Sequence, residues 1–259
     1  MKLYYWVTGN NSIVHLESHN EYNSLVHHES HNECNNEIPT LHYFNIRGKG
    51  EAIRIAFEDK NIKFNDDSFS FSEWGFKSTD NGLKSKWISE GKLLFGQVPL
   101  LEIDGINIVQ THSILRYLAS KYNWYQNLNA STIALIDMAS EGTEDIRKQL
   151  SAIEYDEDLK ESEKQIKFET FFKKDGIKWY GYFNKMALKN GHNKFIAGTD
   201  EPTHADYLLF DLIDTAERLC STHASPLIES LTGLKEFKTR IITRPAISSY
   251  LKSDRRRKE

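Results

Sequence analysis

Residues 98–109 read VPLLEIDGINIV. Two short apolar runs flank Asp104-Gly105, a dipeptide that favours the type I′ turn of a two-residue β-hairpin. The stretch therefore predicts two antiparallel strands joined at this dipeptide, and the elements on either side can be placed relative to them.

Alternating strand and helix signals surround this hairpin. Residues 40–46, TLHYFNI, have strand composition, and residues 51–60, EAIRIAFEDK, have helical spacing. A second strand is predicted near 62–64 and a helix around 82–89. A further helix begins near Thr111 in THSILRYLASKY. The predicted order is β-α-β-α-β-β-α.

Strand signals disappear after an Asn-rich connector at residues 122–130. Helical stretches are predicted at about 131–153, 160–189, 203–220 and 234–251, the second kinked near Gly176 or Gly181. Strands and helices followed by helices alone predict an α/β domain and then an all-α domain. The boundaries are placed at 39–122 and 130–252.

A short motif marks the start of the third helical stretch. Thr203-His-Ala-Asp206 precedes the apolar run YLLF and has the form of a capping box, with Asp in place of Glu or Gln. We predict a structural role for Asp206.

Residues 1–38 differ in composition from the rest of the chain. They contain a duplication, VHLESHNEYNS from Val14 and VHHESHNECNN from Val26. Too few apolar side chains are present to offset the entropy of ordering, so a disordered extension is predicted. An alternative is a metal-catching tail, because clustered imidazoles suit Zn, Ni or Cu. The histidines concerned are His15, His19, His27, His28 and His31.

The charge balance of the chain bears on nucleic-acid binding. The chain has 33 Lys and Arg against 37 Asp and Glu, and the extension holds one Lys and five Glu. The remainder is thus balanced, which gives no support to nucleic-acid binding. The basic run at 253–259 is predicted to be a frayed tail.

The chain is expected to be cytoplasmic. It contains no apolar run of about 18 residues and no signal-peptide pattern at its start. Its two cysteines, Cys34 and Cys220, offer no disulfide framework and fit a reducing compartment.

Four dispersed segments together resemble the cytosolic glutathione S-transferases of the tyrosine type. They are LHYFNIRGKGEAIR, FGQVPLLEIDG, VQTHSILRYLASKY and ALIDMASEG, and the alpha, mu and sigma classes are the most similar. The resemblance spans residues 39–252. It implies a thioredoxin-like N-terminal domain, a helical C-terminal domain, a homodimer and a detoxifying enzyme with reduced glutathione as cosubstrate. No other cofactor and no metal are expected.

The chemistry of such an enzyme depends on ionising a thiol. A thiol pKa of about 8.5 leaves little thiolate at neutral pH. Lowering it by about two units requires roughly 2.7 kcal/mol, and one hydroxyl donating to a charged sulfur supplies about 1.5–3 kcal/mol. The resemblance implies that Tyr43 is this donor.

The resemblance assigns the remaining glutathione contacts to Lys49, Trp87, Lys92, Gln97, Val98, Pro99, Gln110, Thr111 and Asp145. Lys49 stands where related enzymes usually carry Arg, keeping the charge without the planar fork. Val98, before a cis-proline, would pair with the cysteinyl backbone. Gln110-Thr111 opens a helix, whose free N–H groups suit a carboxylate. Arg54 is predicted to be structural.

Two further parts of the site follow from the same resemblance. Trp87 and Lys92 would bind the glycine carboxylate, with a spacing one residue longer than in related enzymes. Asp145 would reach the glutathione amino group across the dimer, with Glu144 as the alternative. The electrophile pocket would be lined by Phe44, Ile46 and Arg147, and the Arg points to polar or anionic co-substrates.

Conjugation of glutathione to hydrophobic electrophiles is the predicted activity. Two alternatives remain open on the sequence alone. One is a glutathione-dependent isomerase of the prostaglandin type, which would differ only in the electrophile pocket. The other is a non-catalytic glutathione-binding or structural protein that kept the fold.

Overall fold

The computed structural model describes residues 38–75 and 82–258. The predictions for the duplicated extension and its metal-catching histidines fall on residues 1–37, outside these ranges. Within the described residues, no helix is long and apolar enough to cross a membrane.

A four-stranded sheet forms in the first part of the chain, with strand order β2-β1-β3-β4. The strands are β1 (Thr40–Phe44), β2 (Asn65–Phe69), β3 (Leu100–Ile103) and β4 (Ile106–Val109). β1 runs parallel to β2 and antiparallel to β3. The predicted hairpin is confirmed, because Ile103 pairs with Ile106 and both turn residues have positive φ, +52° at Asp104 and +72° at Gly105.

The second strand is later in the chain than predicted. β2 reads NDDSF and pairs with β1 from Thr40↔Asn65 to Phe44↔Phe69. The apolar residues Ile62 and Phe64 instead pack against the core just before the strand. The polar strand is stabilised by distant partners, because Asp66 binds Arg54 at 3.0 Å and Asp67 binds His42 at 2.7 Å. These contacts are invisible to a local hydropathy pattern.

Helices are the other main elements of the described residues. They are α1 (Glu51–Asp59), α2 (Phe71–Trp74), α3 (Leu83–Ser89), α4 (Thr111–Lys121), α5 (Ala130–Glu154), α6 (Glu161–Phe171), α7 (Ile177–Asn190), α8 (His204–Leu219), α9 (Ser221–Ser230), α10 (Thr232–Ile242) and α11 (Pro245–Leu251). A π-helical segment, Phe172–Gly176, joins α6 to α7 at the predicted irregularity.

The last predicted helix is two helices, and α9 was not predicted. Pro245 supplies the break: Arg244 before it is extended, at φ −63° and ψ 129°, and Pro245 opens α11. A residue before proline is disfavoured in the helical region, which separates α10 from α11. The fold class of a mixed α/β part followed by helices alone is confirmed.

α8 runs through the centre of the core and contacts α1, α4, α5 and α9. Its first turn contains the predicted cap. The Asp206 carboxylate accepts from the Thr203 N–H at 2.7 Å and from the Ile196 N–H at 2.8 Å. Burial raises the pKa of Asp206 to about 6 against the effect of these hydrogen bonds. The predicted helix cap is confirmed, and Asp206 also holds the helix start to the preceding loop.

Candidate active site

Two cavities open on either side of Lys49. The first, of about 380 Å³, is lined by Lys49, Gln97, Val98, Pro99, Gln110 and Thr111, among other residues. The second, of about 690 Å³, includes Tyr43, Phe44, Ile46, Lys49 and Arg147 in its lining. Most of the side chains predicted to form the site are thus brought together in two adjoining spaces.

Tyr43 lies in β1 with 6% of its surface exposed. The Lys49 backbone N–H donates to its Oη at 2.9 Å, which leaves the phenolic hydrogen able to donate to another group. Burial is the main cause that raises the pKa of Tyr43 to about 12. The phenol is therefore neutral at physiological pH and keeps its O–H.

Two glycines permit this contact. A Cβ at Gly48 would lie 2.6 Å from the Tyr43 Oη, and one at Gly50 would lie 2.8 Å from Cδ1 of the same ring. Gly48 also has φ +40°, a conformation that side chains disfavour. The absence of side chains at Gly48 and Gly50 thus allows the backbone to pass close to the Tyr43 ring.

Arg54 supports the loop between β1 and α1 from within the protein. Its guanidinium is fully buried, donates to the Ile46 carbonyl at 2.9 Å and pairs with Asp66 at 3.0 Å. It also lies 5.9 Å from the centre of the Tyr43 ring. These contacts agree with the structural role predicted for Arg54.

The first cavity lies at the N-terminus of α4. The N–H groups of a helix's first turn have no partners within the helix, so they favour an anion. Thr111 Oγ1 donates to the Lys49 carbonyl at 2.9 Å, which ties this helix start to residues 45–50 between β1 and α1, called the Tyr43 loop below. Gln110, just before it, has φ +74°, a strained conformation for a residue with a side chain. The Val98–Pro99 bond is cis, as the resemblance implied.

Lys49 reaches across to α5. Its Nζ lies 2.9 Å from Glu144 Oε1, and Glu144 lines the first cavity. Glu144 is the residue that the sequence offered as the alternative to Asp145. Asp145 itself is exposed and lines neither cavity of the single chain, so its predicted role across a dimer stays a prediction.

Trp87 and Lys92 are not brought to either cavity. Trp87 is buried and packs edge-on against His42, with ring centres 5.1 Å apart. Lys92 Nζ pairs with Glu102 at 2.6 Å, which raises the Lys92 pKa. In the single chain these residues stabilise the sheet face, and their predicted contact with a glycine carboxylate stays a prediction.

Arg147 is the charged part of the second cavity. Its side chain is 9% exposed and pairs with the buried Asp211 at 2.5 Å. Burial raises the pKa of Asp211 to about 7, while the charge of Arg147 opposes the shift. The apolar Phe44 and Ile46 form another part of the lining, so this space combines apolar surface with a guanidinium.

Sequence reasoning missed three residues of α4 in the first cavity, His112, Ser113 and Arg116. The spacing of four between His112 and Arg116 places these two on one helix face. That spacing next to Thr111 was the signal that could have identified them. Arg116 also pairs with Asp137 at 2.7 Å and Glu141 at 2.5 Å, which joins α4 to α5. No cluster of three metal-ligating side chains occurs within residues 38–75 and 82–258.

Comparison with known proteins defines the family. Residues 39–120 match the model of the glutathione S-transferase N-terminal domain, and residues 144–254 match that of the C-terminal domain. The chain belongs to the glutathione S-transferase family and is an enzyme of that family. Its mixed first part and helical second part are the two domains of that fold.

Individual relatives support this assignment over most of the chain. Human glutathione S-transferase A2 is 33% identical over 229 residues, covering 86% of this chain and 91% of the relative. Mouse glutathione S-transferase A4 is 31% identical over 227 residues, covering 85% and 90%.

Solved structures show the same fold. The Pi-class glutathione S-transferase of Onchocerca volvulus is 29% identical with a TM-score of 0.69, covering 83% of this chain and 92% of that one. Prostaglandin synthase D of Nilaparvata lugens has a TM-score of 0.67 at 22% identity, covering 84% and 98%. The second likeness concerns the fold alone.

Proposed function

We propose that this enzyme conjugates reduced glutathione to hydrophobic electrophiles through a thiolate stabilised by Tyr43. The observation that carries the proposal is the neutral phenol whose oxygen accepts the Lys49 N–H beside the second cavity. Because that oxygen already accepts a hydrogen bond, its own O–H is directed to donate. A sulfur anion at this point would receive a hydrogen bond worth about 1.5–3 kcal/mol.

Glutathione would occupy the first cavity as an extended peptide. The Val98 backbone would pair with its cysteinyl residue, as an added strand pairs with a sheet edge. Its γ-glutamyl carboxylate would lie at the start of α4, near Thr111, with Gln110 orienting it. Glutathione thus serves as cosubstrate, and the proposed chemistry calls on no further cofactor.

The electrophile would enter the second cavity. At about 690 Å³ the cavity is in the size range of small-molecule sites. Phe44 and Ile46 would contact apolar parts of the electrophile, and Arg147 would contact a polar group. Because Lys49 lines both cavities, the thiolate and the electrophile would meet beside it.

The enzyme would act as a cytoplasmic homodimer in detoxification. Leu94 and Phe95 are 81% and 63% exposed in the single chain, and only Gly96 separates them from the Gln97–Pro99 segment. Large apolar side chains exposed side by side suit an interface with a second copy. Such a dimer would also allow Asp145 to reach the partner's glutathione.

A titration of the bound thiol tests this mechanism. Thiolate absorbance of glutathione bound to the wild type should give a pKa about two units below that of free glutathione. Tyr43→Phe should return most of that shift and reduce turnover at neutral pH. Tyr117→Phe is the matched control, because Tyr117 donates to Asp104 at 2.6 Å and lines neither cavity.

Three results would change the proposed function, each in a different way. A wild-type thiol that titrates as in plain buffer would overturn the thiolate mechanism. Glutathione binding with no turnover of any electrophile would favour the non-catalytic alternative. Isomerisation of a lipid endoperoxide without conjugation would replace the proposed reaction while keeping the glutathione contacts.

A further inference from the structure

The arginine run Arg255–Arg257 lies against the protein rather than forming the predicted frayed tail. The side chains of Arg256 and Arg257 are 13% and 22% exposed, whereas that of Arg255 is 63% exposed. Arg256 pairs with two carboxylates, Glu51 and Asp214, and Arg257 binds one carboxylate and one hydroxyl in β2. The run therefore has an inner pair and an outer member.

Arg257 contacts the loop between β1 and α1 through its backbone. Its carbonyl accepts from Arg47 Nε at 2.9 Å, and Arg47 lies two residues before Lys49. Its side chain anchors that carbonyl by donating to Asp66 at 2.8 Å and Ser68 Oγ at 2.7 Å in β2. The backbone contact thus depends on a side-chain anchor in the sheet.

Arg256 supports the same loop from a second direction. Its guanidinium pairs with Asp214 of α8 at 2.6 Å and with Glu51 of α1 at 3.2 Å. Asp214 also binds Arg47 at 3.0 Å. A single carboxylate therefore connects Arg256 with the Tyr43 loop, and Glu51, at the start of α1, is fully buried.

This loop determines how Tyr43 is held. It carries the Lys49 N–H that donates to the Tyr43 Oη, and its Ile46 carbonyl accepts from Arg54. Asp66 is shared between Arg54 and Arg257, so both supports depend on one carboxylate. Partly buried networks of this kind are screened less by salt and are more cooperative than exposed pairs.

We propose that Arg256 and Arg257 are positioning residues that hold the Arg47–Lys49 backbone in the geometry by which Tyr43 donates to the thiolate. The inference rests on the proposed function, because it concerns the same hydrogen bond. It extends the site to residues more than 200 positions away in sequence, which touch neither glutathione nor the electrophile.

The test compares three single substitutions in the full chain. Arg256→Gln and Arg257→Gln remove the inner anchors, and Arg255→Gln removes a neighbouring charge that pairs with Glu58. For each, the bound thiol is titrated by absorbance, kcat and KM are measured separately, and thermal stability is recorded. Arg257→Lys is added because it keeps the charge but loses the fork that reaches both Asp66 and Ser68.

Both inner variants are expected to raise the bound thiol pKa by about half a unit to one unit. From a wild-type value of about 6.5, two units below the ordinary thiol pKa of about 8.5, this leaves roughly 1.5- to threefold less thiolate at pH 7. kcat should fall in proportion at that pH and recover at high pH. Arg255→Gln should titrate as the wild type. Arg257→Lys should lie between the wild type and Arg257→Gln, and it provides the measurement if Gln at 257 prevents folding.

Failure of the inference differs from failure of the proposed function. A wild-type thiol without any shift would overturn both. A normal wild-type shift that persists in Arg256→Gln, Arg257→Gln and Arg257→Lys would overturn the inference alone. Lower thermal stability with unchanged thiol pKa would also overturn the inference alone, because it would mean that the run contributes to stability only.

Discussion

Lys49 Nζ of the Tyr43 loop lies 2.9 Å from Glu144 Oε1 of α5, at the boundary between the two cavities. The pair joins the N-terminal domain to the first long helix of the C-terminal domain. It also partly neutralises the Lys49 ammonium, a cation whose residue lines both cavities. The charge at this boundary therefore depends on two residues 95 positions apart.

Opposite changes in glutathione affinity are expected when the two members of this pair are altered. Lys49→Met should raise the KM for glutathione about two- to fivefold, since pairs at this level of exposure contribute up to about 1 kcal/mol. Lys49→Arg should remain close to the wild type. Glu144→Gln should lower the KM by leaving the ammonium unpaired. A higher KM in Glu144→Gln would instead assign Glu144 to the glutathione amino group.

The strained backbone at Gln110 is expected to lower the stability of the fold while Gln110 contributes to glutathione binding. Its φ of +74° destabilises the folded chain by about 1–3 kcal/mol. Gln110→Gly removes this strain, but the added entropy of glycine in the unfolded chain offsets the gain by about 0.5–1 kcal/mol. We expect equal or higher stability together with a raised KM for glutathione. Gln110→Ala should raise the KM without the gain in stability. Urea denaturation and steady-state kinetics measure both quantities, and a raised stability in Gln110→Ala would contradict the strain argument.

His204 should make the fold sensitive to acid. Burial lowers its pKa to about 4 from 6.5, and Nδ1 lies 2.8 Å from Tyr125 Oη. As pH falls, the unfolded chain binds the proton at a higher pH than the folded chain does. The stability that neutral His204 contributes is therefore fully present above pH 6.5 and is lost as pH falls towards 4. At pH 5 the loss is about 2 kcal/mol.

The urea midpoint of the wild type and of His204→Asn, each measured at pH 7 and pH 5, isolates this residue. The free energy of unfolding derived from these curves should fall less between pH 7 and pH 5 in the variant than in the wild type, by about the same 2 kcal/mol. Asp206 and Asp211, whose pKa values are raised, act in the opposite direction and are common to both proteins. An equal pH dependence in the two would contradict the prediction.

Phe95 should control dimerisation. It is 63% exposed, and burying a phenylalanine contributes about 1.5–3 kcal/mol. Phe95→Ser is therefore expected to weaken a homodimer by about ten- to a hundredfold, as measured by analytical ultracentrifugation. Activity at low protein concentration should fall in parallel if Asp145 completes the partner's site. Ile166→Ser is the control, because Ile166 is 64% exposed on α6 and should leave association unchanged.

Much of the fold could be predicted where neighbouring residues decide the structure. The hairpin at Asp104-Gly105 and the cap at Thr203–Asp206 each depend on interactions within a few residues. The position of Tyr43 at the end of a strand before a glycine-rich loop was also predictable. The π-helical segment at Phe172–Gly176 coincided with a predicted kink for the same local reason.

Other features depended on residues far apart. The carboxylates of β2 pair with Arg54 and His42, and no local pattern encodes those partners. Glu144, rather than Asp145, faces the first cavity because of the orientation of α5. Trp87 lies among other aromatic side chains of the sheet face, which its place in a family motif did not indicate.

The sequence by itself determined the two-part fold, the family and the tyrosine loop, because turns, caps and hydrophobic periodicity act over short distances along the chain. Only the tertiary structure decided how that loop is held. Arg256 and Arg257 meet Glu51, Asp66 and Asp214 through chain folding, and an ion pair depends on distance in space rather than on separation in sequence. A basic run therefore looks the same in the sequence whether it is solvated or docked.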